Sequence, residues 1–155
     1  MAPAPDTSLP SASASKSVFL TGATGYIGGT VLTKLLALSS PPSAITILVR
    51  SEDKAKSISS FPTPSGTTLT PLLGSLQDLE KLSKAAETHD IVVHTADADD
   101  LDAIKAIIEG AKKRKAKTGH RTLLIHTSGT GVFVDNAKGH YPSDTVSLPR
   151  CPNGL

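Results

Sequence analysis

Residues 21–29 read TGATGYIGG, four glycines in nine positions directly after the apolar run SVFL. Each glycine adds backbone freedom that folding must remove, so a strand or helix interior is a poor place for such density. The stretch is therefore expected to be a turn, and its flanks decide what kind. SVFLTGA (17–23) is a short apolar run bounded by glycine, the pattern of a buried strand. Residues 26–38 set Ile27, Val31, Leu35 and Leu38 on one helical face.

The same alternation then repeats. AITILVR (44–50) is a β-branched strand behind the breaker SSPPS, and residues 52–60 form a short helix around Ala55 and Ile58 that FPTPSG ends. LTPLLGS (69–75) is a third strand, which Pro71 assigns to a sheet edge. Ser75 and Asp78 stand as a capping box before Leu79 and Leu82, predicting a helix over 77–88. DIVVHTA (90–96) is the fourth strand and TLLIHTSG (122–129) the fifth. Between them, residues 99–117 repeat Leu101, Ile104, Ile108 and Ala111 at helical spacing, closed by Gly119.

Right-handed crossovers turn that order into an α/β fold, a doubly wound, all-parallel sheet of about five strands in the order 3-2-1-4-5. Hydrophobic residues make up 38% of the chain and aromatics only 3%. A core of Leu, Ile, Val and Ala is what buried parallel strands require. With 155 residues there is room for one ordinary domain. Its expected bounds are 17–134, after a Pro/Ala/Ser-rich disordered leader (1–16) and before an irregular tail (135–155).

Gly22, Gly25 and Gly28 sit at the turn from the first strand into the first helix. The first allows a tight turn, the second a close approach of a pyrophosphate to the backbone, and the third close packing of helix on sheet. The free N–H groups and positive end of that helix complete an anion site. A P-loop would need Lys-Ser/Thr after its last glycine, whereas Gly28 is followed by Gly29 and Thr30.

TGATGYIG resembles the cofactor loop T-G-x-x-G-x-[IL]-G of the extended and atypical short-chain dehydrogenases/reductases, a group with nucleotide-sugar epimerases, dehydratases and NmrA-like proteins. The resemblance runs from about residue 17 to about 134 and implies a Rossmann-type NAD(P)-binding domain. It places Gly22, Thr24, Gly25, Tyr26, Ile27 and Gly28 at the cofactor. VVHTA (92–96) is similar to the family's fourth strand end, which implies cofactor positions at His94, Thr95 and Ala96. In GSLQD (74–78) the family often has an Asp that reaches the adenine; here Ser75 stands in its place.

The end of the second strand sets the choice of cofactor. An acid there would bind the ribose hydroxyl of NAD, and an Arg would accept the 2′-phosphate of NADP. LVRSED offers Arg50 with Ser51 beside it, while Glu52 and Asp53 fall in a helical first turn that favours acids anyway. NADP is preferred, NAD the alternative.

Catalysis is less well provided. The family's Tyr-x-x-x-Lys pair is absent, since Tyr26 is followed at that spacing by Thr30 and Tyr141 by Thr145. HTSGTGVF (126–133) is similar to the family's fifth strand end, yet it puts Gly129 on the usual hydroxyl position, with Ser128 and Thr130 flanking it as weak candidates. The expectation is thus a truncated cofactor-binding domain without a complete catalytic site. A non-catalytic NADP-sensing module and an inactive fragment are the alternatives.

Other features exclude function classes. A net charge of +2 is too small to imply nucleic acid or a membrane as partner. One cysteine, Cys151, and five histidines without paired spacing give no metal site. The leader lacks a signal peptide's basic and apolar regions, and cytoplasm is the default location. KKRKAK (112–117) suits a helix C-terminus, and DADD (97–100) a helix cap.

Overall fold

The β-branched and apolar runs pair as strands, and the three inner ones bury both faces between helices while the edge strands stay partly exposed. The computed structural model describes residues 15–129. Its elements are β1 (Ser17–Thr21), α1 (Tyr26–Leu36), β2 (Ala44–Val49), α2 (Glu52–Ser59), β3 (Thr68–Leu73), α3 (Leu79–Thr88), β4 (Ile91–His94), α4 (Leu101–Thr118) and β5 (Leu123–His126). They form one parallel sheet in the order β3-β2-β1-β4-β5. This is the Rossmann-type α/β arrangement expected, with the Pro71 strand at an edge. The tail expected over 135–155 lies outside the described residues, as does all but the end of the leader. Ser15 and Lys16, counted with that leader, are tied to the loop before β2: the Ser43 hydroxyl donates to the Ser15 carbonyl and the Ser43 N–H to that of Lys16.

Strand alternation sorts the core into two layers. Val18, Leu20, Ile45, Ile47, Val49 and Val93 pack with Leu32 of α1 and Ile58 of α2. Phe19, Leu48 and Val92 pack on the other face with Leu82, Ala85 and Ala86 of α3 and Ala103 and Ile107 of α4.

Two helices bury a different stripe from the one expected. In α1 the buried residues are Gly28 and Leu32; Ile27 is exposed, Val31 and Leu35 form the flank, and Leu38 lies beyond the helix, which ends at Leu36. The prolines at 41 and 42 cannot continue a helix, and it stops at Leu36, ahead of Ser39 and Ser40 that precede them. In α4 the buried face is Ala103, Ile107 and Gly110, while Leu101 and Ile108 are 60% and 40% exposed. Gly110 explains the rotation. A Cβ there would lie 2.1 Å from the Ser83 carbonyl oxygen, so α3 and α4 touch through backbone where a side chain is missing. Helix α3 also starts later than expected, at Leu79. Asp78 accepts from the Ser75 N–H at 2.6 Å and from its hydroxyl at 3.1 Å, but this closes a separate turn ahead of the helix.

Asp100 caps α4 by accepting from the Ala103 N–H at 3.0 Å, and Gly119 ends it in the left-handed region at φ 76°. The basic run is largely spoken for at that end. Lys112 pairs with Glu109, Lys117 with Glu87, and Arg114 with Asp90 at 2.6 Å. Asp90, just before β4, also accepts from the Ser17 N–H and hydroxyl, both at 2.9 Å. Burial pulls its carboxyl pKa upward, but the two Ser17 donors, Arg114 and Lys16 outweigh it and hold the pKa below its ordinary value. A lowered carboxyl contributes stability above about pH 4 that is lost as the pH falls through the folded-state pKa. Asp90→Ala is expected to cost about 2 kcal/mol at pH 7, a fall of roughly 5 °C in melting temperature, and to flatten the acid limb of the stability curve. Circular-dichroism melts from pH 2 to 7 check this; an unchanged acid limb would remove Asp90 from that role.

Candidate functional site

The chain leaves β1 at Thr21 and turns at once, because Gly22 has φ 76° and the Gly25 N–H donates back to its carbonyl at 2.9 Å. A side chain at Gly22 would be strained and would also meet the Ala96 nitrogen and the Thr95 carbonyl at 2.8 Å. Gly28, in the first turn of α1, is closer still. Its Cβ would stand 2.2 Å from the Gly22 oxygen and 2.6 Å from the Thr95 hydroxyl. That hydroxyl donates to the Thr21 carbonyl at 2.7 Å, locking the turn against the end of β4. Gly25 differs. Its backbone is extended (φ −93°, ψ 174°) and its only near contact for a Cβ is the Gly22 oxygen at 3.3 Å. As N-cap it brings no side-chain acceptor, so among the described residues the first-turn N–H groups of Tyr26, Ile27 and Gly28 are without partners.

Above this turn lies a cleft of about 610 Å³ at the carboxyl ends of β1 to β4. Strand order reverses there, with β2 on one side of β1 and β4 on the other. Such a crevice is where open α/β sheets bind ligands. Its floor is Gly22, Thr24 and Gly25. One wall is cationic, with Arg50 at the end of β2 and Lys54 in α2; the other carries Asp97 and Asp100. Leu76 and Gln77 close one side, and Gln77 donates to the Asp100 carboxylate at 3.3 Å.

The fold thus brings Gly22, Thr24, Gly25, Arg50, Thr95 and Ala96 together along one cleft. Gly28 lies beneath the turn rather than on the surface. The Tyr26 side chain is 93% exposed, and neither it nor Ile27 lines the cleft. Ser51 is the N-cap of α2, accepting from the Lys54 N–H at 3.4 Å. The His94 ring is fully buried under the site. Ser128 is exposed beyond β5, and Thr130 lies outside the described residues.

Lys54, Gln77, Asp97 and Asp100 were missed as lining residues. Lys54 had a signal. It stands four residues after Arg50, in the first turn of the helix that follows, and so returns to the same wall. Asp97 and Asp100 were visible only as helix-capping acids, a role Asp100 indeed performs.

The residues fit a dinucleotide. Three unpartnered N–H groups, the positive end of α1 and a floor without side chains suit a pyrophosphate. The volume lies within the usual range for ligand sites.

Comparison with known proteins gives the same answer. Residues 22–146 match a family described as NAD(P)H-binding. The chain is 39% identical over 119 residues to the oxidase ucsJ of an Acremonium species, covering 77% of this chain and 32% of that protein. It is 37% identical over 132 residues to a phenylcoumaran benzylic ether reductase of Ginkgo biloba, covering 79% and 40%. The chain thus spans less than half the length of these curated relatives. A short-chain dehydrogenase/reductase of Veillonella parvula, solved with NADP, superposes with a TM-score of 0.57 at 21% identity, over 76% of this chain and 49% of that one. That likeness concerns the fold. The chain belongs to the NAD(P)H-binding family, on a fold like that of the short-chain dehydrogenases and reductases.

Proposed function

We propose that this chain is the cofactor-holding part of an NADP-dependent oxidoreductase, with the 2′-phosphate received by Arg50 and Lys54. The observation that carries this is the pairing of two cations on one wall of the cleft, beside the bare glycine turn. The turn from Gly22 to Gly28 would hold the pyrophosphate, Leu76 and Gln77 would receive the adenosine, and Thr95 and Ala96 would flank the nicotinamide. When bound, the nicotinamide supplies the hydride or accepts it. The chain's own residues bind and orient the cofactor. Ser128 and Thr130 stand nearest in sequence to the expected hydroxyl position, and the sequence has no Tyr-x-x-x-Lys pair to move a proton. The second reading is an NADP-responsive module that binds without turnover.

A thermal-shift titration with NADPH and NADH tests the cofactor, because binding to the folded state raises the melting temperature. Each lost charge-assisted phosphate contact costs about 1.5–3 kcal/mol, so Arg50→Asp and Lys54→Ala should each weaken NADPH at least about tenfold. NADH binding should change less than about threefold. Equal losses for both nucleotides would take the two cations away from the 2′-phosphate. NADPH binding with no turnover of carbonyl substrates would favour the second function.

A further inference from the structure

Thr21, His94 and His126 occupy matched register positions at the carboxyl ends of β1, β4 and β5, in one row beneath the cleft. His94 is fully buried at its centre. Its Nε2 lies 3.1 Å from the Asp97 carbonyl oxygen, which can only accept, so that nitrogen carries a proton. Its Nδ1 lies 2.8 Å from the Thr21 hydroxyl and, in the neutral ring, accepts from it. The imidazole thereby ties the strand that enters Gly22 to the loop that follows Ala96. These are the two backbone segments with no room for a Cβ between them. The His126 ring stacks on His94 with centroids 5.2 Å apart and planes 11° apart.

We propose that His94 is a positioning residue that makes dinucleotide binding in this cleft dependent on pH. The neutral ring holds the glycine turn and the Ala96–Asp97 segment at the spacing the ligand needs, and a second proton on the ring loosens that hold. Once both nitrogens donate, the Thr21 hydroxyl must turn from donor to acceptor, and its own proton loses its partner. The added charge also sits in a dry site under a second imidazole. The titratable groups facing the ring are His126 on β5, Asp97 on the loop before α4 and Asp100 at the cap of α4; β1 offers only the Thr21 hydroxyl. Burial pushes the His94 pKa down; the Asp97 carbonyl and the Asp97 and Asp100 carboxylates oppose this, His126 adds to it, and the net shift is downward. A lowered imidazole is neutral and fully effective above about pH 6.5, and its hold is lost as the pH falls through the folded-state pKa.

This inference rests on the dinucleotide reading of the cleft, and the experiment separates the two. NAD is titrated calorimetrically into the full chain from pH 5 to pH 8, because it lacks the 2′-phosphate that would itself ionise in that range. Circular dichroism verifies the fold at each pH. The unaltered chain should lose affinity as the pH falls through the lowered His94 pKa, approaching tenfold per pH unit for one linked proton. His94→Gln should be flat within about twofold. His126→Gln should keep the dependence, with its midpoint moved to higher pH. An unaltered chain that binds equally across the range, or a His94→Gln chain with the same dependence, overturns the proposal and leaves the dinucleotide reading standing. No binding of NAD or NADPH at any pH overturns both. Should His94→Gln not fold, imidazole NMR titration of the unaltered chain decides. Saturating NAD must lower the His94 pKa further by linkage, and an unmoved pKa overturns the proposal.

Discussion

Gly25→Val is expected to leave the protein folded and to abolish its response to pyridine nucleotides. The backbone at Gly25 is extended, a conformation valine favours, and the single contact at 3.3 Å needs only a few tenths of an ångström of relief. The melting temperature should therefore change by only a few degrees. The new side chain would branch over the floor of the cleft, against the unpartnered N–H groups of α1 where the pyrophosphate must approach the backbone. Affinity for NADPH and NADH alike should fall about a hundredfold or more, near 2.7 kcal/mol. Equal loss for both separates this variant from those at Arg50 and Lys54, which act on the phosphate that only one of them carries. Thermal-shift and calorimetric titrations check it. A Gly25→Val protein that still binds either nucleotide within tenfold of the original would move the ligand off the glycine turn.

Gly110→Val should do the reverse, striking stability at a distance from the cleft floor. Its Cβ would fall 2.1 Å from the Ser83 carbonyl oxygen, 2.9 Å from the Ser83 carbonyl carbon and 2.8 Å from the Ala86 methyl group. Two of those three atoms are backbone, so no rotamer change relieves the clash. Helix α3 would have to move outward, opening the layer in which Leu82, Ala85, Ala86, Ala103 and Ile107 are buried. Overpacking of this kind typically costs up to about 3 kcal/mol, and a clash on backbone belongs at that upper end or beyond. A drop of roughly 6–12 °C in melting temperature, or no cooperative melt at all, is the expected result. Chemical denaturation measures the same loss. A change below about 1 kcal/mol would mean that the two helices do not touch at Gly110.

The sequence reveals which elements exist and in what order they pair, because alternating apolar runs and helical stripes are properties of single segments. It is less informative where contact closeness decides. In α1 and α4 the expected stripe of large apolar residues marks a flank, and the positions of closest approach are Gly28 and Gly110, whose value lies in having no side chain. Hydrophobic spacing cannot see that at Gly110, whereas at Gly28 the loop motif exposes it. The strand ends show a second limit. Expected strands running to 23, 50, 75, 96 and 129 stop at Thr21, Val49, Leu73, His94 and His126. Gly22, Arg50, Ser75, Thr95 and Ala96 leave the ladder to line the cleft instead. The cationic wall was legible at Arg50 but not at Lys54, because the second cation reaches it only after a helix has turned the chain back.

Among the described residues, those lining the cleft run from Gly22 to Asp100. This described part of the site draws on strands that a ribosome completes before α4 and β5 are synthesised. A nucleotide able to engage that early portion would reward the correct pairing of β1 with β2 and β4 while the chain is still growing. In such an architecture a ligand would act as a template for assembly as well as a cargo of the finished fold.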